Sequence, residues 1–347
     1  MMWLRCLGRL LRVWPLLPLA VAAPLTAGRA DSPAGAVAAQ SRVAAPRLFA
    51  DSRMIGHDRF SVEVVGNGPD VILIPGLATS REVWRDLAVG LRQRYRLHLI
   101  QVAGFGGQPA GANAEGPLLA PLADALAAYA AALGPAEPSV IGHGMGGAIS
   151  LMMAHRRPQA LGALLLVEAL PFAGILYSPD PNSEGVEPAV RTYGDRLLAL
   201  SAADFERTEK AAFARLVKDD DGARLLLRDA MSSNRAVMVR GLVEGLTIDL
   251  RPMMAEIHQP ITVIYSWDRL TNRSLEFTDA VYAESYATAP NKALVRIDDA
   301  LHFVMLDQPG KFEQEVLDFL SHPPPAPGAA NSGATVGGEA VSEQAVP

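Results

Sequence analysis

The segment Ser139-Val140-Ile141-Gly142-His143-Gly144-Met145-Gly146-Gly147-Ala148 sets four glycines between an apolar run and an amphipathic one. A strand-to-helix turn sharp enough to present a nucleophile at its apex needs small residues two before and two after that apex. Gly142 and Gly146 meet this requirement, but the apex itself is Gly144, which carries no nucleophile. Nearby hydroxyls do not replace it, because Ser139 falls inside the apolar run and Ser150 lies down the following helix. The same glycines fit a second pattern. Gly142-x-Gly144-x-x-Gly147, with Glu168 twenty-one residues beyond, has the spacing of a dinucleotide site. That fingerprint normally opens the first strand of its domain, whereas here three apolar runs precede it. No Gly-Lys-Ser/Thr is present to complete a phosphate loop.

His302, in Asp298-Asp299-Ala300-Leu301-His302-Phe303, has a side chain suited to act first as base and then as acid near neutral pH. Asp268 follows the apolar run 261–265 and can accept a ring N–H, which fixes the tautomer; its bland alternative is to cap the helix near 274. Glu168, after Leu164–Val167, is the rival acid. His143 sits in the glycine turn and His98 in a strand, while His57, His155, His258 and His322 form no metal-ligand pair. There is no H-E-x-x-H segment, so neither a metal nor an organic cofactor is expected.

The elements that must position these residues are legible. Residues 71–74 form a continuous apolar run between Gly66-Asn67-Gly68-Pro69 and Pro75-Gly76, the pattern of a buried strand. Phe60–Val65 reads as its hairpin partner across the Asn-Gly turn. Trp84, Leu87, Leu91 and Tyr95 predict a helix, 97–102 a strand, and Leu119, Leu122, Leu126, Tyr129 and Leu133 a second helix. Strands follow at 139–141, 164–167, 261–265 and 294–297, with helices at 145–155, near 274–286 and at 310–320. Strands spaced by helices imply parallel crossovers, hence an α/β fold with a mostly parallel central sheet and helices on both faces. Residues from about 170 to 256 break the rhythm with charged, Met-bearing helical sequence, and read as an inserted helical cap over the strand C-termini.

Over about residues 60–321 the chain resembles the α/β-hydrolase fold family. That family's turn commonly reads Gly-His-Ser-Met-Gly-Gly; here it is Gly142-His143-Gly144-Met145-Gly146-Gly147. Its oxyanion loop is matched by Ile74-Pro75-Gly76-Leu77, and a later glycine-rich turn by Gly104-Phe105-Gly106-Gly107. Asp268, after 261–267, matches the position of the catalytic acid, and His302 that of the catalytic histidine. The resemblance implies an oxyanion hole built from the backbone N–H groups of Leu77 and Met145. It also implies an exported carboxylic-ester hydrolase lineage, whose reaction Gly144 interrupts. Alternatives are a non-covalent general-base enzyme of lyase or cofactor-free oxygenase type using His302 and Asp268, or a binding protein that has kept the pocket. The Met-bearing cap suits a small apolar or amphipathic ester-like ligand.

The 347 residues are 50% hydrophobic and 20% charged with a net charge of −6, a composition that excludes wholesale disorder and offers no basic surface for nucleic acid. Cys6 is the one cysteine, so neither a disulfide framework nor a cysteine zinc site is possible. Residues 1–27 read as a signal peptide: Arg5, Arg9 and Arg12 precede a charge-free apolar run over 13–27. That run is too short and too proline-broken to remain as a stable membrane span. Cleavage between residues 23 and 30 would release a periplasmic or secreted protein. Residues 28–50 form a linker, 51–322 the folded domain, and 323–347 a Pro/Gly/Ala/Ser tail expected to be disordered. Oligomeric state is not readable from the sequence.

Overall fold

The computed structural model describes residues 47–176, 183–271 and 273–322. The expected signal peptide, residues 28–46 of the linker and the tail lie outside them.

Apolar runs with no polar side chain to expose become the centre of one eight-stranded sheet. In chain order the strands are β1 (Arg53–Gly56), β2 (Phe60–Val65), β3 (Asp70–Ile74), β4 (Arg96–Val102), β5 (Ser139–His143), β6 (Leu164–Val167), β7 (Ile261–Trp267) and β8 (Lys292–Asp298). In space they run β1-β2-β4-β3-β5-β6-β7-β8. From β4 to β8 all neighbours are parallel, while β1 and β2 add an antiparallel edge. Ile72, Leu73, Ile141, Leu165 and Val263 are fully buried, as expected of parallel strands covered on both faces.

The hairpin between 60–65 and 71–74 does not form. β2 pairs antiparallel with β4, Val62 standing opposite Ile100, and β4 lies between β2 and β3. The crossover after β3 returns the chain parallel to β3 on that side, occupying the edge a hairpin would have needed. The Gly66–Gly68 turn instead passes against the loop before β4, where a Cβ on Gly66 would collide with the carbonyls of Arg92 and Tyr95. The helix expected through Tyr95 is also shorter. A 3₁₀ turn, Arg81–Trp84, leads into α1 (Arg85–Leu91), and Tyr95 falls in the connection to β4.

Helices α2 (Leu119–Ala131) and α3 (Met145–Arg156) pack together. On the other side of the reversal in strand order, α1 packs with the C-terminal helix, and Trp84 stacks on Phe312 with ring centroids 6.3 Å apart. Among the described residues between β6 and β7 there are four α-helices: α4 (Ser183–Ala199), α5 (Ala202–Phe213), α6 (Asp220–Ser232) and α7 (Arg235–Thr247). We call this insertion the cap. Helices α8 (Leu275–Ser285), α9 (Val304–Asp307) and α10 (Pro309–Ser321) are the remaining α-helices among the described residues. The strand order reverses between β3 and β5, and ligands in open α/β sheets bind beyond the strand C-termini at such a reversal. The glycine turn and the Gly76-Leu77 loop meet at this point.

Candidate active site

The turn after β5 is as sharp as its glycines require. A Cβ on Gly142 would lie 2.5 Å from the Gly146 carbonyl oxygen and from Ser150 Oγ, and one on Gly146 would strike the Ile74 carbonyl. Only glycine allows β5, α3 and the loop after β3 to approach this closely. Gly144 stands at the apex with φ +50° and ψ −114°. A Cβ built there would point at His302, 3.3 Å from Nε2 and 3.6 Å from Cε1. The structure therefore aims the apex position at the imidazole.

His302 leads into α9. Its Nδ1 lies 3.2 Å from Oε2 of Glu168, and the ring is partly exposed to the cavity. Glu168 directly follows β6 with φ +50°, and its Oε1 accepts the N–H of Ser266 at 2.5 Å. One oxygen thus fixes the carboxylate to β7 while the other faces the imidazole, leaving Nε2 turned toward Gly144. His143 supports the ring from behind. Burial, and then the neighbouring His302, push its pKa well below the usual histidine value, so it is neutral, and its Nε2 donates to the His302 carbonyl at 3.1 Å. The two rings lie 4.5 Å apart.

Asp268 does not meet His302. Only 2% exposed, it accepts from Lys218 Nζ at 2.6 Å on Oδ2 and from the Leu270 N–H at 2.6 Å on Oδ1. Burial alone would raise its pKa, but the Lys218 ammonium and the Leu270 N–H outweigh that and hold it below the usual carboxylate range. The sequence assignment of Asp268 as the acid is corrected here: a cap lysine has captured that carboxylate, and Glu168 stands at the imidazole. Strand order alone gave no signal of this. Lys218 is fifty residues away on an inserted element, and its approach depends on how the cap folds back.

Lys218 also donates to the Asp299 carbonyl at 3.1 Å, and Phe303 N–H donates to the Leu216 carbonyl at 3.0 Å. Asp307 Oδ1 accepts from the N–H groups of Lys218 and Asp219, and its Oδ2 from that of Leu301. The segment following α5 is thereby sewn to the loop that carries His302. On the far side of the cap, Asp229 in α6 accepts the Ser80 N–H at 2.8 Å, which ties the cap to the loop after β3.

Leu77, Gly144, Met145, Glu168 and His302 line one cavity of about 1150 Å³ between sheet and cap. Its walls are mainly apolar, supplied by α4, α5 and α7 and by the segment after β7. Met145 is the first residue of α3, so its N–H has no acceptor within the helix and is available to a ligand oxygen. Leu77 lies on the facing loop, next to Ala78 at φ +54°. Among the described residues no group of side chains could hold a metal ion, and no helix is long and apolar enough to cross a membrane.

The sequence matches the model of the alpha/beta hydrolase family over residues 71–315. It is 26% identical over 267 residues to the pimeloyl-acyl-carrier-protein methyl ester esterase of Aeromonas hydrophila, covering 75% of this chain and 98% of that protein. Among solved structures, a hydrolase from Pseudomonas aeruginosa PA01 superposes with a TM-score of 0.62 at 20% identity, over 79% of this chain and 99% of that one. The enol-lactonase from Burkholderia xenovorans LB400 does so with a TM-score of 0.61 at 18% identity, over 76% and 96% of the two chains. Strand order, glycine turn and sequence match agree: the chain belongs to the alpha/beta hydrolase family.

Proposed function

We propose that this chain derives from a carboxylic-ester hydrolase, binds a small apolar or amphipathic ester in the cavity under the cap, and turns it over very slowly because Gly144 supplies no nucleophile. The observation that carries this reading is the 3.3 Å between a Cβ built on Gly144 and His302 Nε2. A hydroxyl on that carbon would face the base, with the Met145 and Leu77 N–H groups beside it to hold an oxyanion. Glu168 would keep His302 in the tautomer that accepts at Nε2 and would stabilise the imidazolium. Without the hydroxyl no acyl-enzyme forms, and loss of a nucleophile in such a site lowers kcat on the order of 10⁶-fold. The ester-hydrolase activity named for the Aeromonas relative supports the same reaction class.

A second reading is favoured by one observation. His302 and Glu168 stand at 3.2 Å although the nucleophile is missing, so the base remains oriented toward the space in front of Gly144. His302 would there take a proton from water or from a bound substrate without a covalent intermediate.

The deciding experiment compares the natural chain with Gly144→Ser on short aryl esters and with a serine-directed phosphonate. Hydrolysis and labelling that appear only in Gly144→Ser, and vanish with added His302→Ala, support the first reading. A folded Gly144→Ser that gains neither refutes it. His302-dependent turnover by the natural chain would establish the second. We further propose export, with a mature N-terminus between residues 23 and 30, to be read by N-terminal sequencing of protein from its source cell.

A further inference from the structure

Glu209 on α5 is a buried carboxyl that the chemistry at His302 does not use. It is 7% exposed, on the inner face of α5 with Phe205 and Phe213, and it lines the cavity that contains His302. Among the described residues no hydrogen bond or ion pair engages its carboxyl. The nearby guanidinium of Arg235 is committed elsewhere. It donates to the Leu200 carbonyl at 2.7 Å and lies over the Phe205 ring, 4.1 Å from its centroid. The polar neighbours on α5 are also engaged, Thr208 Oγ1 donating to the Asp204 carbonyl and Arg207 pairing with Asp204. A buried carboxyl without a partner carries a desolvation penalty that a donor from a ligand would relieve.

Its place along α5 sets its distance from the reacting end. Leu216 touches the His302 loop through the Phe303 N–H. Glu209 lies seven residues back, about one helical turn inside the C-terminal end of α5 at Phe213. Over this stretch the cavity wall is mainly apolar, with Ala212, Phe213 and Leu216 on this side and Met238 and Leu242 on α7, and Arg215 is the charged residue among them.

We propose that Glu209 is the distal recognition residue of the cavity, selecting esters whose acyl chain crosses an apolar stretch and ends in a hydrogen-bond donor such as a hydroxyl or an ammonium. This rests on the reading of the cavity as an ester site and adds the polarity of the ligand's far end. Burial pushes the Glu209 carboxyl up to about 7 against the pull of Arg235, so near neutral pH the group can meet a hydroxyl in its protonated form and an ammonium in its ionised form.

Because the proposed function makes turnover very slow, esters can serve as equilibrium probes, with recovery of the unhydrolysed ester checked after each titration. The methyl esters of octanoic, ω-hydroxyoctanoic and ω-aminooctanoic acid are titrated calorimetrically into the natural chain, Glu209→Gln and Glu209→Leu, with circular dichroism confirming the fold of each. The natural chain should bind at least one donor-ended ester about tenfold more tightly than methyl octanoate. Glu209→Leu should reverse that preference, and Glu209→Gln should keep it for the hydroxyl ester only. Equal binding of all three esters by the natural chain and Glu209→Leu overturns the role of Glu209 while leaving the ester site standing. Failure of every ester to bind the natural chain overturns the ester site and this inference together.

Discussion

Lys218 Nζ lies 2.6 Å from Asp268 Oδ2, so a cap side chain holds the carboxylate that chain order marks as the catalytic acid. Asp268 is nearly inaccessible while Lys218 is about one-third exposed. Lys218→Met leaves the carboxylate without its cation and should destabilise the fold by about 2 kcal/mol, less than the 3–5 of a fully buried pair because water reaches one partner. The pKa of Asp268 is lowered in the folded state. Its stabilising effect is therefore present above the unfolded aspartate value of about 3.9 and fades as pH falls through the folded value. Urea unfolding of the natural chain should weaken more steeply below about pH 4 than that of Lys218→Met.

Glu168 and Asp268 separate in the background of Gly144→Ser. Replacing Glu168 by Gln leaves its shape but removes the acceptor that fixes the His302 tautomer, and should lower kcat on the order of 10³–10⁴-fold. Asp268→Asn should lower the melting temperature and change kcat less than tenfold. Steady-state ester hydrolysis beside thermal unfolding distinguishes the two carboxylates, and a larger kcat loss from Asp268→Asn would refute the assignment.

Gly144→Ser should itself destabilise the fold. At φ +50° a side chain is disfavoured by about 1–2 kcal/mol, and its Cβ would sit 3.3 Å from Nε2, so the imidazole must shift slightly. Chemical denaturation should register a loss of that size, with Gly144→Ala losing nearly as much, because the backbone rather than the hydroxyl sets the effect.

Glu209 gives stability the opposite pH dependence to Asp268. Its pKa rises to about 7 in the folded state, so between about 4.5 and 7 the folded chain holds a proton the unfolded chain has released. Stability should fall across that window by up to about 3 kcal/mol, and Glu209→Gln should lack the fall. Urea midpoints at pH 5 and pH 8 for the two proteins check this.

The sheet and the glycine turn were legible because their signals are local: apolar runs of strand length, and glycines spaced for a strand-to-helix turn. The pairing of β2 was not, since a hairpin and an edge strand beyond an intervening crossover share one alternation pattern. β1 escaped notice because four residues at an exposed edge show no periodicity. Glu168 was visible as a carboxylate at a strand end. What raised it above Asp268 is a distant lysine, together with a Ser266 N–H that orients the carboxylate from the neighbouring strand. Glu209 gave no sign at all, since one glutamate in a charged helix resembles its exposed neighbours until the helix is packed.

Ala78, Glu168 and Asp299 are the non-glycine residues with positive φ among the described residues; Ala78 and Glu168 line the cavity with Gly144, and Asp299 lies three residues before His302. Left-handed backbone disfavours a residue with a Cβ by about 1–2 kcal/mol, a noticeable share of the 5–15 kcal/mol that keeps an ordinary domain folded. On the function proposed above, the scaffold keeps backbone tension beside an apex that supplies no nucleophile. On that proposal, what would separate this molecule from an efficient ester hydrolase is local and chemical, one missing side chain, while the architecture around it remains in place. A site idled in this way would stand a single substitution from reversal, unlike one idled by a relaxed or collapsed scaffold.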